Sequence, residues 1–392
     1  MKRKGGFYEK LCTEDNIELA DELARINKRS SKKHIMLHDL KREEDNKKLL
    51  ESFKNLTYKT SKYDIFTIYE PKERLIYRLP YYPDRIAHHA IMNVVKQYWT
   101  SLFITNTYSC IEGRGIGKCA KDLYRVLRKT KDNNATKWCL KLDIRKFYPN
   151  INHKKLKEIL RWKIKDNKFL TILDEIIDSV NYCSDTPGVG VPIGNYLSQF
   201  FANLYLTKFD HWLKEVIKVK YYFRYADDIV ILGNNKQYLW NVFDLLQKYL
   251  NEELLLQIKP NYQIFEVEKR GIDFIGLIFY HTHKLLRKSI KSKIRKLIYK
   301  FLTNKIDKSE FKSKFYSYYG WLRMCNSKNF LKSIKSKTNM YYSNFNGILT
   351  NAKRLNNNFI VMSIEERKKY YLFGVIHNKK PYLLKKWKRK LR

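Results

Sequence analysis

The sequence has few cysteines, and none of them stand at the spacing of a metal-binding motif. Six cysteines occur in 392 residues, without a Cys-x-x-Cys pair among them. This argues against the common zinc ligand sets and against a disulfide-stabilised secreted scaffold. We therefore expect reduced thiols, a cytoplasmic location and no zinc site.

Long apolar runs and internal repeats are also absent from the sequence. No apolar stretch approaches the ~20 residues that a membrane-spanning helix needs, so we expect no membrane contact. The basic start of the chain is not followed by an apolar segment, and we therefore expect no signal peptide. That start reads MKRKGGFYEK.

Acidic residues are the third scarce class. The chain carries 39 acidic against 79 basic residues, a formal net charge of +40. Such an excess predicts a polyanionic partner, with nucleic acid the first choice. A hydrophobic content of 44% and an aromatic content of 15% indicate a folded protein, and the length suffices for two or three domains.

The most informative stretch is Tyr221–Asn234, YYFRYADDIVILGN. Two aromatic and β-branched runs flank a polar break that contains Asp227 and Asp228, which predicts a β-hairpin. Two Asp residues in a turn are often no more than a solvated turn. A third carboxylate, Asp143, closes another apolar strand, Trp138–Leu142. Converging carboxylates bind hard divalent cations, and two such ions serve phosphoryl transfer.

The YADD segment resembles the Tyr-x-Asp-Asp signature of reverse transcriptases. The resemblance implies RNA-templated DNA synthesis on an α+β fold shaped as a right hand, with fingers, a palm containing an antiparallel sheet, and a helical thumb. The substrates would be deoxynucleotides, with a template RNA and a cDNA or primer strand as partners. The expected division is an N-terminal helical extension (1–60), fingers (61–139), palm (140–283), thumb (284–340) and a basic C-terminal extension (341–392).

The resemblance also assigns a metal site that holds two Mg²⁺ ions. The positions concerned are Asp143, Ile144, Asp227 and Asp228, of which Asp143 and Asp227 would be the primary ligands. Neighbouring strand residues point to opposite faces, so Asp228 would reach the ions only if the turn redirects it. The lysine that in this family can protonate the leaving pyrophosphate has two candidate positions, Lys259 and Asn261, and the sequence does not decide between them.

Further residues acquire nucleotide-binding roles through the same resemblance. Lys72 or Arg74, at the turn of a predicted hairpin, would meet the triphosphate, although both could simply be exposed charges. Arg114, in a Gly-rich loop before a helix, would contact a template phosphate. Tyr148 would pack under the sugar and exclude a 2′-hydroxyl, whereas Phe147 is predicted to be a core residue.

A seven-residue motif distinguishes this chain from most of the family. The usual Gln-Gly-x-x-x-Ser-Pro is replaced by IGNYLSQ, with Ile193 and Gln199 at the two changed positions around Gly194. This variant resembles reverse transcriptases of diversity-generating retroelements. The resemblance implies contacts of these residues with the nucleotide, errors at template adenines and a small basic accessory protein. Alternatively, Ile193 is a packing residue at a helix start.

The segment after Lys284 predicts a basic helical bundle. Apolar residues follow helical spacing, and the opposite face is basic. Lys293, Lys296 and Lys300 would contact the template–primer duplex. An antiviral, retron-type or group II intron-like reverse transcriptase remains an alternative. A non-catalytic RNA-binding maturase or scaffold is a further one.

Overall fold

The computed structural model describes residues 3–26, 32–69, 73–183 and 186–338. These residues divide into two compact units. One contains residues 97–163 and 177–338, and the other contains residues 3–96 and 164–176. The predicted segment 341–392 lies outside the described residues, and the other predicted segments stay predictions.

Helices and antiparallel strands alternate along the described chain. The helices are α1 (Phe7–Leu11), α2 (Glu14–Arg25), α3 (Lys32–Asp39), α4 (Arg42–Lys54), α5 (Ile86–Leu102), α6 (Ile116–Lys129), α7 (His153–Lys163), α8 (Asn167–Asp178), α9 (Tyr196–Tyr205), α10 (Thr207–Glu215), α11 (Lys236–Glu252), α12 (Val267–Arg270), α13 (Lys288–Leu302), α14 (Lys308–Arg323) and α15 (Lys328–Thr338). The strands are β1 (Asp64–Ile68), β2 (Arg74–Arg78), β3 (Trp138–Asp143), β4 (Tyr221–Tyr225), β5 (Asp228–Gly233), β6 (Gln263–Glu266), β7 (Ile272–Phe274), β8 (Leu277–Phe279) and β9 (Lys284–Leu286). The predicted mixture of helices with antiparallel sheets is confirmed.

A four-stranded sheet in the order β4-β5-β3-β6 forms the centre of the first unit. All its neighbours are antiparallel. Its strands are rich in β-branched and aromatic residues, which fit a pleated, buried surface. Cys139, Val230 and Leu232 belong to one buried cluster with the apolar residues of α6, while α11 packs against β3, β5 and β6. Burial of the sheet fixes its register.

A second sheet, β7-β8-β9, and the α13–α15 bundle follow in the same unit. Gly276, at the turn between β7 and β8, has φ +83° and lies directly under the ring of Trp321 from α14. A Cβ at this position would stand 2.5 Å from that ring, so only glycine allows the contact. The helices predicted after Lys284 form as α13, α14 and α15.

In the second unit, a buried carboxylate joins the N-terminal helices. Asp21 on α2 forms ion pairs with Arg25 (2.7 Å) and with Arg42 of α4 (2.6 Å). Burial by itself would raise the pKa of Asp21, but the nearby His38 ring and hydrogen bonds from Arg25 and Tyr81 hold it below its usual range. Helices α1–α4 lie at the start of the described chain, and the predicted hairpin forms as β1–β2.

None of the helices that the described residues form is long and apolar enough to cross a bilayer. Five cysteines (Cys12, Cys110, Cys119, Cys139 and Cys325) are free thiols. Burial raises the pKa of Cys139 above its ordinary range, which keeps this thiol protonated. Cys139 therefore acts as a small apolar core residue.

We expect His88, buried in α5, to make the second unit sensitive to acid. Burial, together with the charge of Arg85, lowers the pKa of His88 to about 3. An unfolded histidine titrates near ~6.5, so below that pH the unfolded state gains a proton that the folded state lacks. Stability should therefore fall by up to about 1.4 kcal/mol per pH unit between these two values.

The measurement is urea unfolding of the wild type and of His88→Leu at neutral and mildly acidic pH. The variant should lose less stability on acidification than the wild type. His34→Leu, at an exposed position, is the matched control and should behave as the wild type does. Equal acid sensitivity of His88→Leu and wild type would contradict the assignment.

Candidate active site

The predicted hairpin forms, with Asp227 in its turn and Asp228 in its second strand. Tyr225 pairs with Asp228 across the hairpin, which leaves Ala226 and Asp227 as a two-residue turn. Asp228 is the first residue of β5 and stands directly opposite Asp143 in the neighbouring strand β3. The strand register therefore brings together the carboxylate-bearing residues of two separate segments.

Asp227 completes this group from the turn. The backbone N–H of Ile144 donates to the Asp227 carbonyl at 3.3 Å, so Asp143, Ile144, Asp227 and Asp228 are neighbours. Burial raises the pKa of Asp227 to about 6, and the negative charge of Asp143 adds to this effect. Burial likewise raises the pKa of Asp228, while Lys141 opposes the shift. The negative charges of the neighbouring carboxylates are therefore only partly neutralised in this site.

Lys259 reaches into the same site. Its Nζ lies 2.6 Å from Oδ2 of Asp143, and its backbone N–H donates to the Asp143 carbonyl at 2.9 Å. Asn261 lines a concavity together with Asp143 and Asp228. Lys259 and Asn261 were the two candidate positions for the family's lysine. Of these, Lys259 is the one that forms an ion pair with a carboxylate of the site. Sequence spacing could not show this, because the contact depends on a loop that returns to the end of β3.

The carboxylates suit a divalent cation in their chemistry. No group of three or more His, Cys, Asp or Glu side chains is arranged as a metal cage in the described part of the chain, and one oxygen of Asp143 is turned to Lys259. The other oxygen, Oδ1, is buried and lacks a hydrogen-bond partner among the described residues. A buried acceptor of this kind is costly, and oxygen ligands are those that Mg²⁺ prefers. The residues therefore fit a magnesium ion.

A buried ion pair behind the hairpin supports its turn, and the sequence analysis did not identify it. The Arg224 side chain, fully buried in β4, forms an ion pair with Asp210 of α10. Its Nε lies 2.8 Å from Oδ1 of Asp210, and its Nη1 donates to the Ala226 carbonyl at 3.0 Å. Tyr222 also donates to Asp210 at 2.6 Å. An arginine inside an apolar strand is the sequence signal that could have indicated a buried partner.

The turn needs this support because Ala226 has φ +55°. A non-glycine residue in the left-handed region is strained by about 1–3 kcal/mol and persists only where its surroundings hold it. The hydrogen bond from Arg224 holds Ala226, which immediately precedes Asp227, in this conformation. Arg224 and Asp210 are therefore positioning residues for the carboxylate site.

The predicted sugar-contacting residue, Tyr148, is hydrogen-bonded to a second loop, which contains Gly188, Gly190 and Gly194. The N–H of Val191 donates to the Tyr148 carbonyl at 3.0 Å, which joins this loop to the segment after β3. Tyr148 is half-buried, whereas Phe147 is buried as a core residue, as predicted. Gly194 has φ +114°, a conformation that favours glycine. Next to it, Ile193 is half-buried.

The remaining predicted residues lie elsewhere. Gln199 is half-buried on α9, which starts after Gly194 as predicted. Arg74 opens β2 in the second unit, and Lys72 lies outside the described residues. Arg114 donates through Nη1 to the Ile104 and Thr107 carbonyls (2.5 and 2.9 Å). The α13 lysines are exposed: Lys293, Lys296 and Lys300.

We expect Asp210→Ala to destabilise the protein by about 3–5 kcal/mol, because it leaves the Arg224 guanidinium buried and unpaired. The double variant Asp210→Ala/Arg224→Met should lose clearly less, since it removes both charges. Guanidinium unfolding measures these values. Lys314→Ala breaks the exposed pair with Glu310 and should cost less than about 1 kcal/mol. A double variant as unstable as the single one would show that the buried charge is not the cause.

Two proteins of Escherichia coli are similar to this chain over part of its length. Protein YkfC of Escherichia coli (strain K12) is 25% identical over 140 residues, which are 35% of this chain and 36% of that protein. The retron Ec73 reverse transcriptase of Escherichia coli is 27% identical over 173 residues, or 41% of this chain and 54% of that protein. The chain thus spans about a third of the first relative's length and about half of the second's.

Among solved structures, the apo telomerase of Candida tropicalis truncated from its C-terminal domain is similar, with a TM-score of 0.43 and 15% identity. The match covers 56% of this chain and 53% of that chain. The family profile described as reverse transcriptase (RNA-dependent DNA polymerase) matches residues 69–279. That range is more than half of the sequence and includes the three neighbouring aspartates, and the chain therefore belongs to the reverse transcriptase family.

Proposed function

We propose that this protein is an active RNA-directed DNA polymerase that extends a primer by two-metal nucleotidyl transfer. The observation that carries the proposal is the convergence of Asp143, Asp227 and Asp228, from two segments of the family region, at one end of the central sheet. Half-buried carboxylates at neighbouring positions do little to stabilise a fold, because partial burial and mutual repulsion both oppose their charge.

Each residue has a defined part in this proposal. Asp143 and Asp227 would hold the ions, with the Ile144 backbone and Asp228 beside them. When bound, two Mg²⁺ ions activate the primer 3′-hydroxyl and neutralise charge on the leaving pyrophosphate. The family's fingers, palm and thumb would correspond to the β1–β2 hairpin, the central sheet and the α13–α15 bundle. Arg74 or Lys72 would meet the triphosphate, and Arg114 the template.

Asp227→Asn and Asp143→Asn should each lower Mg²⁺-dependent primer extension about a thousandfold or more, since metal-ion catalysis contributes several kcal/mol. RNA affinity should change little, because phosphate binding comes from the basic surface. Extension is measured with deoxynucleotides on an RNA template, and affinity by anisotropy. Asp244→Asn, at an exposed position on α11, is the matched control. Near wild-type extension by either site variant would refute the assignment.

Tyr148 would select the sugar. Tyr148 is half-buried, and its backbone carbonyl accepts from Val191. An added 2′-hydroxyl against its side chain would overpack the space at a cost of ~1–3 kcal/mol. Tyr148→Ala should therefore raise ribonucleotide relative to deoxynucleotide incorporation about ten- to a hundredfold. Single-nucleotide extension measures the ratio. An unchanged ratio would remove Tyr148 from this role.

We further propose that the protein copies template adenines with frequent errors, as part of a diversity-generating retroelement. Ile193 is half-buried next to Gly194 and carries no hydrogen-bonding group, whereas the usual glutamine amide can help to hold a correct base pair. Losing a contact of ~1 kcal/mol relaxes discrimination about fivefold. A small basic accessory protein would be a partner, and the cytoplasm the location.

Ile193→Gln should lower misincorporation opposite adenine about fivefold and leave the other template bases nearly unchanged. The measurement is cDNA sequencing from a defined RNA template. Ile193→Leu is the control, since it changes the shape of the side chain without adding an amide. Faithful copying of adenines by the wild type would refute the diversity-generating role while leaving the polymerase proposal intact.

A retron-type role is the second candidate, and the similarity to the retron Ec73 reverse transcriptase favours it. A group II intron-like role would use the same polymerase chemistry. The neighbouring genes discriminate among these roles. A template and variable repeat pair beside an accessory gene supports diversification, whereas its absence together with a structured noncoding RNA supports the retron-type role.

A further inference from the structure

A basic groove runs over α6 in the first unit, away from the carboxylates. It consists of three concavities that share lining residues. The second concavity is the central one. It shares Arg125 with the first concavity, and it shares Lys284 and Met324 with the third. We call this continuous surface the α6 groove. It has no lining residue in common with the concavity that contains Asp143 and Asp228.

The charged residues that line the α6 groove are almost all cationic. The first concavity contributes four lysine or arginine side chains, the second four more and the third two more. Asp122 is the one acidic residue among these described lining residues, and its charge is already engaged. It binds Lys118 at 2.5 Å and Arg125 at 2.6 Å. The net charge of the groove is therefore strongly positive.

Three of these cations are free to bind a ligand. Lys121, Arg128 and Lys129 are exposed on α6, and none of them is ion-paired within the part of the chain that the structure describes. Lys121 and Arg128, seven residues apart, lie on the same face of the helix, and Lys129 lines the same concavity as both of them. The opposite face packs Cys119, Ala120, Leu123 and Leu127 into the core. The basic face is thus rigidly held before any ligand arrives.

The groove is suited to a phosphate backbone and not to bases. Four aromatic side chains line the groove, and two of them, Tyr108 and Phe223, are buried. The other two rings already have a lysine beside them: Lys220 lies 5.4 Å from the ring centre of Tyr221, and Lys284 lies 4.7 Å from that of Tyr124, whose hydroxyl also donates to the Thr282 carbonyl at 2.8 Å. Single-strand sites that hold bases offer free aromatic platforms beside the cations. Cations on a packed helix, beside rings that are already covered, contact phosphates irrespective of sequence.

We propose that the α6 groove binds the phosphate backbone of a segment of the template RNA that lies outside the duplex being copied. This rests on the proposed RNA-templated function. An RNA held at this second surface would keep a structured template attached while its copied part moves through the catalytic site.

The test compares two ligands, a short RNA template–DNA primer hybrid and the same hybrid with an RNA hairpin extension. The groove variant is Lys121→Glu/Arg128→Glu/Lys129→Glu. The control variant, Lys154→Glu/Lys218→Glu/Lys248→Glu, makes the same charge change at exposed positions outside the groove. Affinity is measured by fluorescence anisotropy across a salt series, and primer extension is measured on the short hybrid.

The groove variant should bind the extended hybrid at least about tenfold more weakly at ~0.1 M salt, with a salt slope reduced by about 2–3, as expected for three lost phosphate contacts. The affinity for the short hybrid and the rate of primer extension on the short hybrid should both stay within about twofold of wild type. The control should retain the wild-type preference for the extended ligand.

Three results would overturn the proposal: unchanged binding of the extended hybrid, an equal loss in the control, or an equal loss for the short hybrid. The last would make the groove part of the template–primer channel. A wild-type protein that extends no primer would refute the polymerase function, but the binding comparison would still decide the role of the groove.

Discussion

The geometry of the carboxylate site depends on the buried contact between Arg224 and Asp210. Two charges without exposure to water are costly, and they are tolerated because hydrogen bonds saturate both groups. Tyr222 and Arg224 both donate to Asp210, and Arg224 also donates to the Ala226 carbonyl. The pair thereby links the central sheet to α10 and fixes the strained residue that precedes Asp227.

The carboxylates that this contact positions are electrostatically unfavourable by themselves. Lys259 neutralises Asp143, while Asp227 and Asp228 retain raised pKa values through burial and like charge. The fold tolerates this because the surrounding sheet is well packed on both sides of the turn. A divalent cation would stabilise these carboxylates strongly, because its charge offsets both their mutual repulsion and the cost of their desolvation.

The sequence by itself determined the local elements and their chemistry. Alternating and β-branched runs predicted the hairpin around Asp227, and the apolar run before Asp143 predicted strand β3. Both predictions were possible because the burial of a strand depends on the order of polar and apolar residues next to one another in the sequence. The helical spacing after Lys284 predicted the basic bundle for the same reason. The excess of basic residues indicated a polyanionic partner, and the order of motifs indicated the family.

Only the tertiary structure decided which of these residues meet. The strand register set Asp228 opposite Asp143, although alternation along β5 had argued against a shared site. A returning loop selected Lys259 over Asn261 as the partner of Asp143, and the packing of α10 on β4 joined Asp210 to Arg224. These contacts depend on register and on packing between distant segments, and no local periodicity encodes either. For the same reason the sequence showed a dispersed positive charge, and the fold concentrated part of it into one groove.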